Sequence, residues 1–403
     1  MARRPGRRAT PLPGSVTTGL PLRRLAGATA ERRTAAGRRT AAGRVVRTDR
    51  APDHPLPPGS PPRENKHKGL LTMVAVSKVP AVVRNPLAFL AARWTPSQAT
   101  VRRAAFAALL MSVVIVVTGG AVRLTGSGLG CETWPKCSSD SLIATREMGL
   151  HGAIEFGNRM LTYVLSAAVG WAILAARSAK PWRHDLTRLG WAQFWAVMAN
   201  GIVGGITVLT ELNPYTVAGH FLAATALLTI TAITWHRSRE GNGAPRVLVG
   251  PRVRQLAWVM AVVAGLLIVA GTVVTGAGPH AGDSSEVPRM GVDWETVTRL
   301  HALLAWAVVL LTAALWLVLR VLDAPARPRR MTGALMLVLL AQGGIGYVQY
   351  LTELPEVLVG LHMLGSCLVW VGVVRVLLSL RELPDSSAAG AAPRADTAVT
   401  AAV

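Results

Sequence analysis

Long apolar runs separated by short polar connections dominate this chain from about residue 100 to about residue 380. Eight of them are long enough to cross a bilayer as helices, which takes about 20 residues each. They cover roughly 104–122, 149–176, 187–209, 214–235, 254–276, 297–321, 331–350 and 356–379. The flanks lack any apolar period. The head is rich in Pro, Arg and Ala and the end in Ala, Pro and Ser, compositions that bury too little apolar surface to order themselves. The pattern predicts an all-α polytopic membrane protein. A basic, mostly disordered cytoplasmic tail covers 1–100, and a disordered tail covers 383–403.

Inside the helical body one stretch occurs twice. Leu209-Thr210-Glu211-Leu212 is followed by Pro214 and then by His220 in an apolar run. Leu351-Thr352-Glu353-Leu354 is followed by Pro355 and then by His362 in another. In both copies the His lies eleven residues after the first Leu. Gly204-Gly205-Ile206 and Gly343-Gly344-Ile345 precede the copies, and Val116-Val117-Thr118-Gly119 is echoed by Val273-Val274-Thr275-Gly276. The eight spans therefore read as two repeated four-helix bundles, over 101–240 and 241–382. Sites in such duplicated units form between the helices of a unit or between units.

Composition agrees. Of 403 residues, 51% are hydrophobic and 16% charged, with a mean hydropathy of +0.38, which excludes an ordinary soluble enzyme. The net charge of +22 does not point to nucleic acid. Residues 1–72 hold 16 Lys and Arg against 4 Asp and Glu, without the aromatic interleaving of an RNA surface. That head reads as a tail beside anionic lipid, or as an upstream region ahead of a working start at Met73. Elsewhere the basic residues gather in alternate connections: Arg102 and Arg103, then Arg177 to Arg188, Arg237 to Arg254, and Arg320 to Arg330. The positive-inside rule makes that side cytoplasmic and both termini with it. The chain is expected in the cell membrane.

The candidate chemistry lies at the other ends of the spans. His151, His220, His301 and His362 all sit near the outer ends of the even-numbered spans. Paired imidazoles at one depth in a bundle suit the two axial positions of a haem iron. Zinc would need further ligands, and no Cys or carboxylate cluster supplies them. Polar groups at this depth are costly unless paired or functional. Glu155 and Arg159 are one helical turn apart, either as a mutual ion pair or with separate work: Glu155 on a proton, Arg159 and Arg299 on haem propionates. Cys131 and Cys137, in the first outer loop, match neither a redox CxxC nor a zinc pair. On an oxidising face they are expected to form a disulfide. Cys367, alone in the last span, reads as a packing residue.

Taken together, the two-cysteine first outer loop, Glu155-Phe156-Gly157-Asn158-Arg159, Gly219-His220-Phe221, Arg299-Leu300-His301 and Gly360-Leu361-His362 resemble the heme A synthase family over about residues 100–380. The resemblance implies oxidation of the methyl group of heme O to the formyl group of heme A, for cytochrome c oxidase. It implies heme b held by His301 and His362. Heme O, the substrate, would lie in the first half with Glu155 at its reactive edge and His220 as a ligand. It also implies a heme O synthase and an electron donor as partners. One residue departs from the family pattern Glu-x-x-His-Arg: Asn158 stands where the His would be. His151, two turns earlier, would replace it only if the haem sat nearer the surface; otherwise His220 holds the haem alone. Two other readings fit the residues less well. One is a diheme b-type electron-transfer cytochrome. The other is a haem transporter, which would break its helices near the midplane.

Overall fold

The computed structural model describes residues 86–384 except Ala281. The predicted tails over 1–85 and 385–403 lie outside the described residues. Among these residues the chain forms a short helix, α1 (Pro86–Arg93), within the stretch read as a tail, and eight long ones. The long helices are α2 (Gln98–Leu124), α3 (Gly149–Ser178), α4 (His184–Leu209), α5 (Pro214–Arg237), α6 (Pro251–Ala277), α7 (Trp294–Val321), α8 (Ala326–Leu351) and α9 (Glu356–Ser379). All eight are long and apolar enough to cross a membrane; the protein is a multi-pass membrane protein. Each predicted span falls within one helix, and no span is broken.

The helices run past the apolar segments because their polar ends are capped. Ser97 accepts from the Thr100 amide at the start of α2, and Asp293 accepts from the Thr296 amide at the start of α7. Asn213 caps α5, with Pro214 in the first turn, where a missing N–H costs nothing.

Both copies of Leu-Thr-Glu-Leu make the same break. Thr210 and Thr352 cap α4 and α8, their amides bonded to the carbonyls of Ile206 and Val348. The next two residues are left-handed in each copy, Glu211 and Leu212 at φ 52° and 57°, Glu353 and Leu354 at φ 59° and 60°. The Leu212 amide returns to Thr207 and that of Leu354 to Gln349. This conformation costs a non-glycine residue roughly 1–2 kcal/mol, and the returning bonds offset it.

Helices α2 to α5 pack in a ring, each on the next and α5 back on α2. Helices α6 to α9 form a second such ring, and α2 and α5 of the first abut α9, with α5 also on α6. The cores sit in the arginine-rich half of each ring. One gathers Leu165, Val169, Leu186 and Val197; the other gathers Met260, Leu315, Leu335 and Val373. Toward the opposite end this packing thins. The first buried side chain of α7 is Val308, and that of α9 is Cys367. The histidine-bearing turns thus lie beyond the packed core.

At the arginine-rich end a two-residue strand pair, β1 (Arg246–Val247) with β2 (Arg381–Glu382), ties the α5–α6 connection to the end of α9. At the other end the two long loops dock. Gly128 N–H donates to Gly282 at 2.8 Å, and Leu129 N–H to Asp283 at 3.1 Å. Burial alone would raise the Asp283 carboxyl. The Ser285 amide and hydroxyl and the Leu129 amide outweigh it and hold the group below its ordinary range.

Candidate functional site

Each even-numbered span presents one polar ring or amide to a glycine on the helix before it. A Cβ placed on Gly204 would meet the His220 ring at 3.0 Å, one on Gly271 the His301 ring at 3.2 Å, and one on Gly346 the His362 ring at 3.1 Å. The fourth position belongs to Asn158, whose amide lies 3.8 Å from a Cβ on Gly119. Three imidazoles and one carboxamide therefore occupy matching places, in the first turns of α5, α7, α9 and α3. At the three histidines a side chain in place of the glycine would push the ring away by a few tenths of an ångström; at Gly119 a Cβ would make ordinary contact with Asn158.

His301 and His362 come together across the second ring, with ring centroids 6.3 Å apart and planes at 61°. The Nδ1 atoms of His220, His301 and His362 are buried without a hydrogen bond. The backbone of Leu267 lies beside the His301 ring, and that of Gln342 beside the His362 ring, neither with the alignment of a bond to Nδ1. Gln342 Nε2 instead donates to the His362 carbonyl at 2.7 Å.

In the first ring Glu155 is buried, and its two oxygens have separate partners. Oε1 pairs with Arg159, and Oε2 accepts the Cys131 amide at 2.6 Å. Arg159 also donates to the carbonyls of Cys131, Thr133 and Lys136. The pair therefore grips the loop closed by the Cys131–Cys137 disulfide, whose Cα atoms are 4.3 Å apart. From that loop Trp134 presses onto Gly205, the neighbour of the glycine under His220.

The other expected residues lie apart. His151 is exposed, with Nδ1 against the Ser127 hydroxyl at 2.9 Å. Arg299 is exposed and paired with Glu295 at 2.8 Å. Asn158 accepts from the Thr118 hydroxyl at 2.7 Å. Thr118 and Trp134 carried no signal for these contacts in the sequence. The glycine facing His301 is Gly271, five residues before the Gly276 of the repeated Val-Val-Thr-Gly, which packs on Met290.

Residues 102–374, about two thirds of the chain, match the model of the COX15-CtaA family, described as cytochrome oxidase assembly protein. The chain belongs to the COX15-CtaA family. It is similar to a heme A synthase of a Bradyrhizobium species. The identity is 27% over 343 residues, covering 71% of this chain and 92% of the relative. The heme A synthase of Lysinibacillus sphaericus is 27% identical over 177 residues, 42% of this chain and 56% of the relative. That of Geobacillus thermodenitrificans is 26% identical over 151 residues, 37% of this chain and 46% of the relative. The chain spans about half the length of these last two. All three of these relatives are named heme A synthase.

Proposed function

We propose that this protein is a heme A synthase: a membrane oxidoreductase that converts the methyl group of heme O to the formyl group of heme A. The observation that carries the reading is the matched set of four glycine-facing positions, with a bis-imidazole pair in one ring and a mixed His220 and Asn158 pair in the other. Two unlike sites suit a resident cofactor and a substrate that must come and go.

The second ring fits a resident haem, which we take to be heme b. A metal bound by two imidazoles at about 2 Å each sets ring centroids roughly 6 Å apart, and His301 and His362 stand at 6.3 Å. When bound, the haem supplies iron redox chemistry and a route for electrons. The chain's own work is binding, orientation and proton handling. His301 and His362 hold the resident haem. His220 holds the substrate haem, and Asn158 with Thr118 leaves the facing position without an imidazole. His151, engaged by Ser127, takes no part in this reading.

Removing hydrogens from a methyl group requires an acceptor for protons, and Glu155 is the acid buried in the first ring. We assign it that role at Oε2, the oxygen shared with the Cys131 amide. Arg159 is committed to Glu155 and to the loop carbonyls, and Arg299 to Glu295 at the exposed start of α7, where its pair would have to open to take the carboxylates of a resident haem. Trp134, from the disulfide loop, packs on Gly205 beside the glycine under His220. The arginine-rich end faces the cytoplasm of the cell membrane. Heme O comes from a heme O synthase. The four-electron oxidation of CH3 to CHO also needs an oxidant and one oxygen atom; with two molecules of dioxygen supplying both, an electron donor provides the four balancing electrons. The unbroken helices speak against the transporter reading.

The test is to express the chain in cells that make heme O but no heme A, and to extract the pigments. Heme A appears only if the reading holds; heme O and heme b alone would sink it.

A further inference from the structure

At the end opposite the histidines, arginines from both rings converge. Arg102 and Arg103 come from α2, Arg239 follows α5, Arg327 opens α8, and Arg375 lies near the end of α9. Arg239 and Arg375 both lie over the indole of Trp235, at 4.0 and 4.6 Å from its centroid. Burial, and then the nearby guanidinium groups of Arg102 and Arg327, hold Arg239 below the usual arginine range. One acid reaches the group: Glu240, shared by Arg327 and His236 at 3.3 Å each. Among the described residues no carboxylate lies within 4.0 Å of Arg102, Arg103, Arg239 or Arg375. The Arg375 Nε is buried without a hydrogen-bond partner.

Three of these arginines, Arg102, Arg103 and Arg239, line a cleft of about 610 Å³ together with Ala99, Phe106 and Trp235. Its floor is aromatic, with Phe106 and Trp235 at 5.5 Å. One turn deeper along α2, Leu110 continues the apolar wall, and both Phe106 and Leu110 are nearly half exposed. So much like charge around one indole is unfavourable without an anion. Guanidinium forks match the oxygens of a phosphate better than any other common anion except a carboxylate. The cleft lies at the helix ends, where headgroup phosphates sit, and its apolar wall runs toward the bilayer core. About 22 Å of helix separates Trp235 from His220, which puts the cleft and the histidines at opposite ends of α5.

We propose that this cleft binds the phosphate of an anionic phospholipid, with an acyl chain laid along Phe106 and Leu110. The lipid lies against α2 and the end of α5, with Arg375 of α9 over the same Trp235 indole. The proposal stands independently of the haem chemistry.

The full chain, delipidated in neutral detergent, is titrated with phosphatidylglycerol, phosphatidylcholine or inorganic phosphate, and native mass spectrometry follows binding. Phosphatidylglycerol should bind at one saturable site, with phosphatidylcholine well behind. The double variant Arg102→Gln with Arg239→Gln should weaken phosphatidylglycerol binding about tenfold or more. Arg329→Gln, at the same end but paired with Asp323, should leave it unchanged. Equal binding of the two lipids, or full binding by the double variant, overturns the proposal. Inorganic phosphate that occupies the site and blocks phosphatidylglycerol makes it a free-anion site and overturns the lipid assignment. If the double variant does not fold, the comparison of the three probes on the wild type still decides.

Discussion

The Thr118 hydroxyl donates to the Asn158 side-chain oxygen at 2.7 Å, and this bond holds an amide at the place where α5, α7 and α9 each present an imidazole. An amide so engaged is a poor iron ligand. Haem bound in the first ring should therefore have one protein ligand, His220, and be high-spin. Asn158→His should convert it to a low-spin species, read by electron paramagnetic resonance and visible spectra. A wild-type first-ring haem that is already fully low-spin would contradict the assignment.

The second ring makes the opposite expectation. His301 and His362 leave no spare ligand, so His301→Ala or His362→Ala should lower the content of tightly bound haem severalfold and abolish its low-spin signal. Pyridine haemochrome analysis of the purified variants measures this. Either variant retaining the wild-type spectrum would show that the pair does not hold the resident haem.

The spans were legible because a bilayer demands long apolar helices, and the repeated Leu-Thr-Glu-Leu was legible as a break because Pro214 and Pro355 follow it. Of the four histidines expected as a set, His220, His301 and His362 take matching places, while His151 lies apart and Asn158 stands in the fourth. What sequence alone did not reveal is which residue faces which. Periodicity identifies a face of a helix, but the neighbour on the next helix depends on crossing angle and depth. Hence Gly271, Thr118 and Trp134 carried no readable assignment in the sequence. Arg159 was readable as a charge needing a partner. Its three loop carbonyls were not, because they belong to backbone that only the folded loop brings near. The arginines around Trp235 were read for topology, and their convergence appears only in three dimensions.

Glu240 gives a pH-dependent test. Burial alone would raise its carboxyl, but the contact with His236 and the Arg327 and Arg237 guanidinium groups outweigh it, so the folded value lies below the ordinary 4.5. A lowered carboxylate contributes stability in full above the unfolded value, and that stability is lost as pH falls through the folded value. Glu240→Gln should thus cost about 1–2 kcal/mol at pH 7. The gap between wild type and variant should close below the ordinary glutamate range. Thermal unfolding in detergent at both pH values measures it. A gap that is unchanged in acid would mean that the carboxylate's charge contributes nothing.

Glu155 separates structure from chemistry most sharply. Its Oε1 anchors Arg159 and its Oε2 the Cys131 amide, so a purely structural role predicts a stability loss and little else. Glu155→Gln keeps the size and one oxygen acceptor, and should cost about 1–3 kcal/mol through the weakened ion pair. It leaves the second ring untouched, so the low-spin haem spectrum should persist. If the carboxylate handles protons of the reacting methyl group, the folded variant should accumulate heme O or a partly oxidised haem. Heme A should then fall at least tenfold. Arg159→Lys serves as the comparison, since it disturbs the same pair and loop while leaving the carboxylate in place. Heme A loss in Glu155→Gln well beyond that in Arg159→Lys, at equal protein and equal disulfide content, marks the acid as a proton acceptor. Equal losses in the two variants, or near wild-type heme A in Glu155→Gln, would reduce Glu155 to the anchor of the disulfide loop.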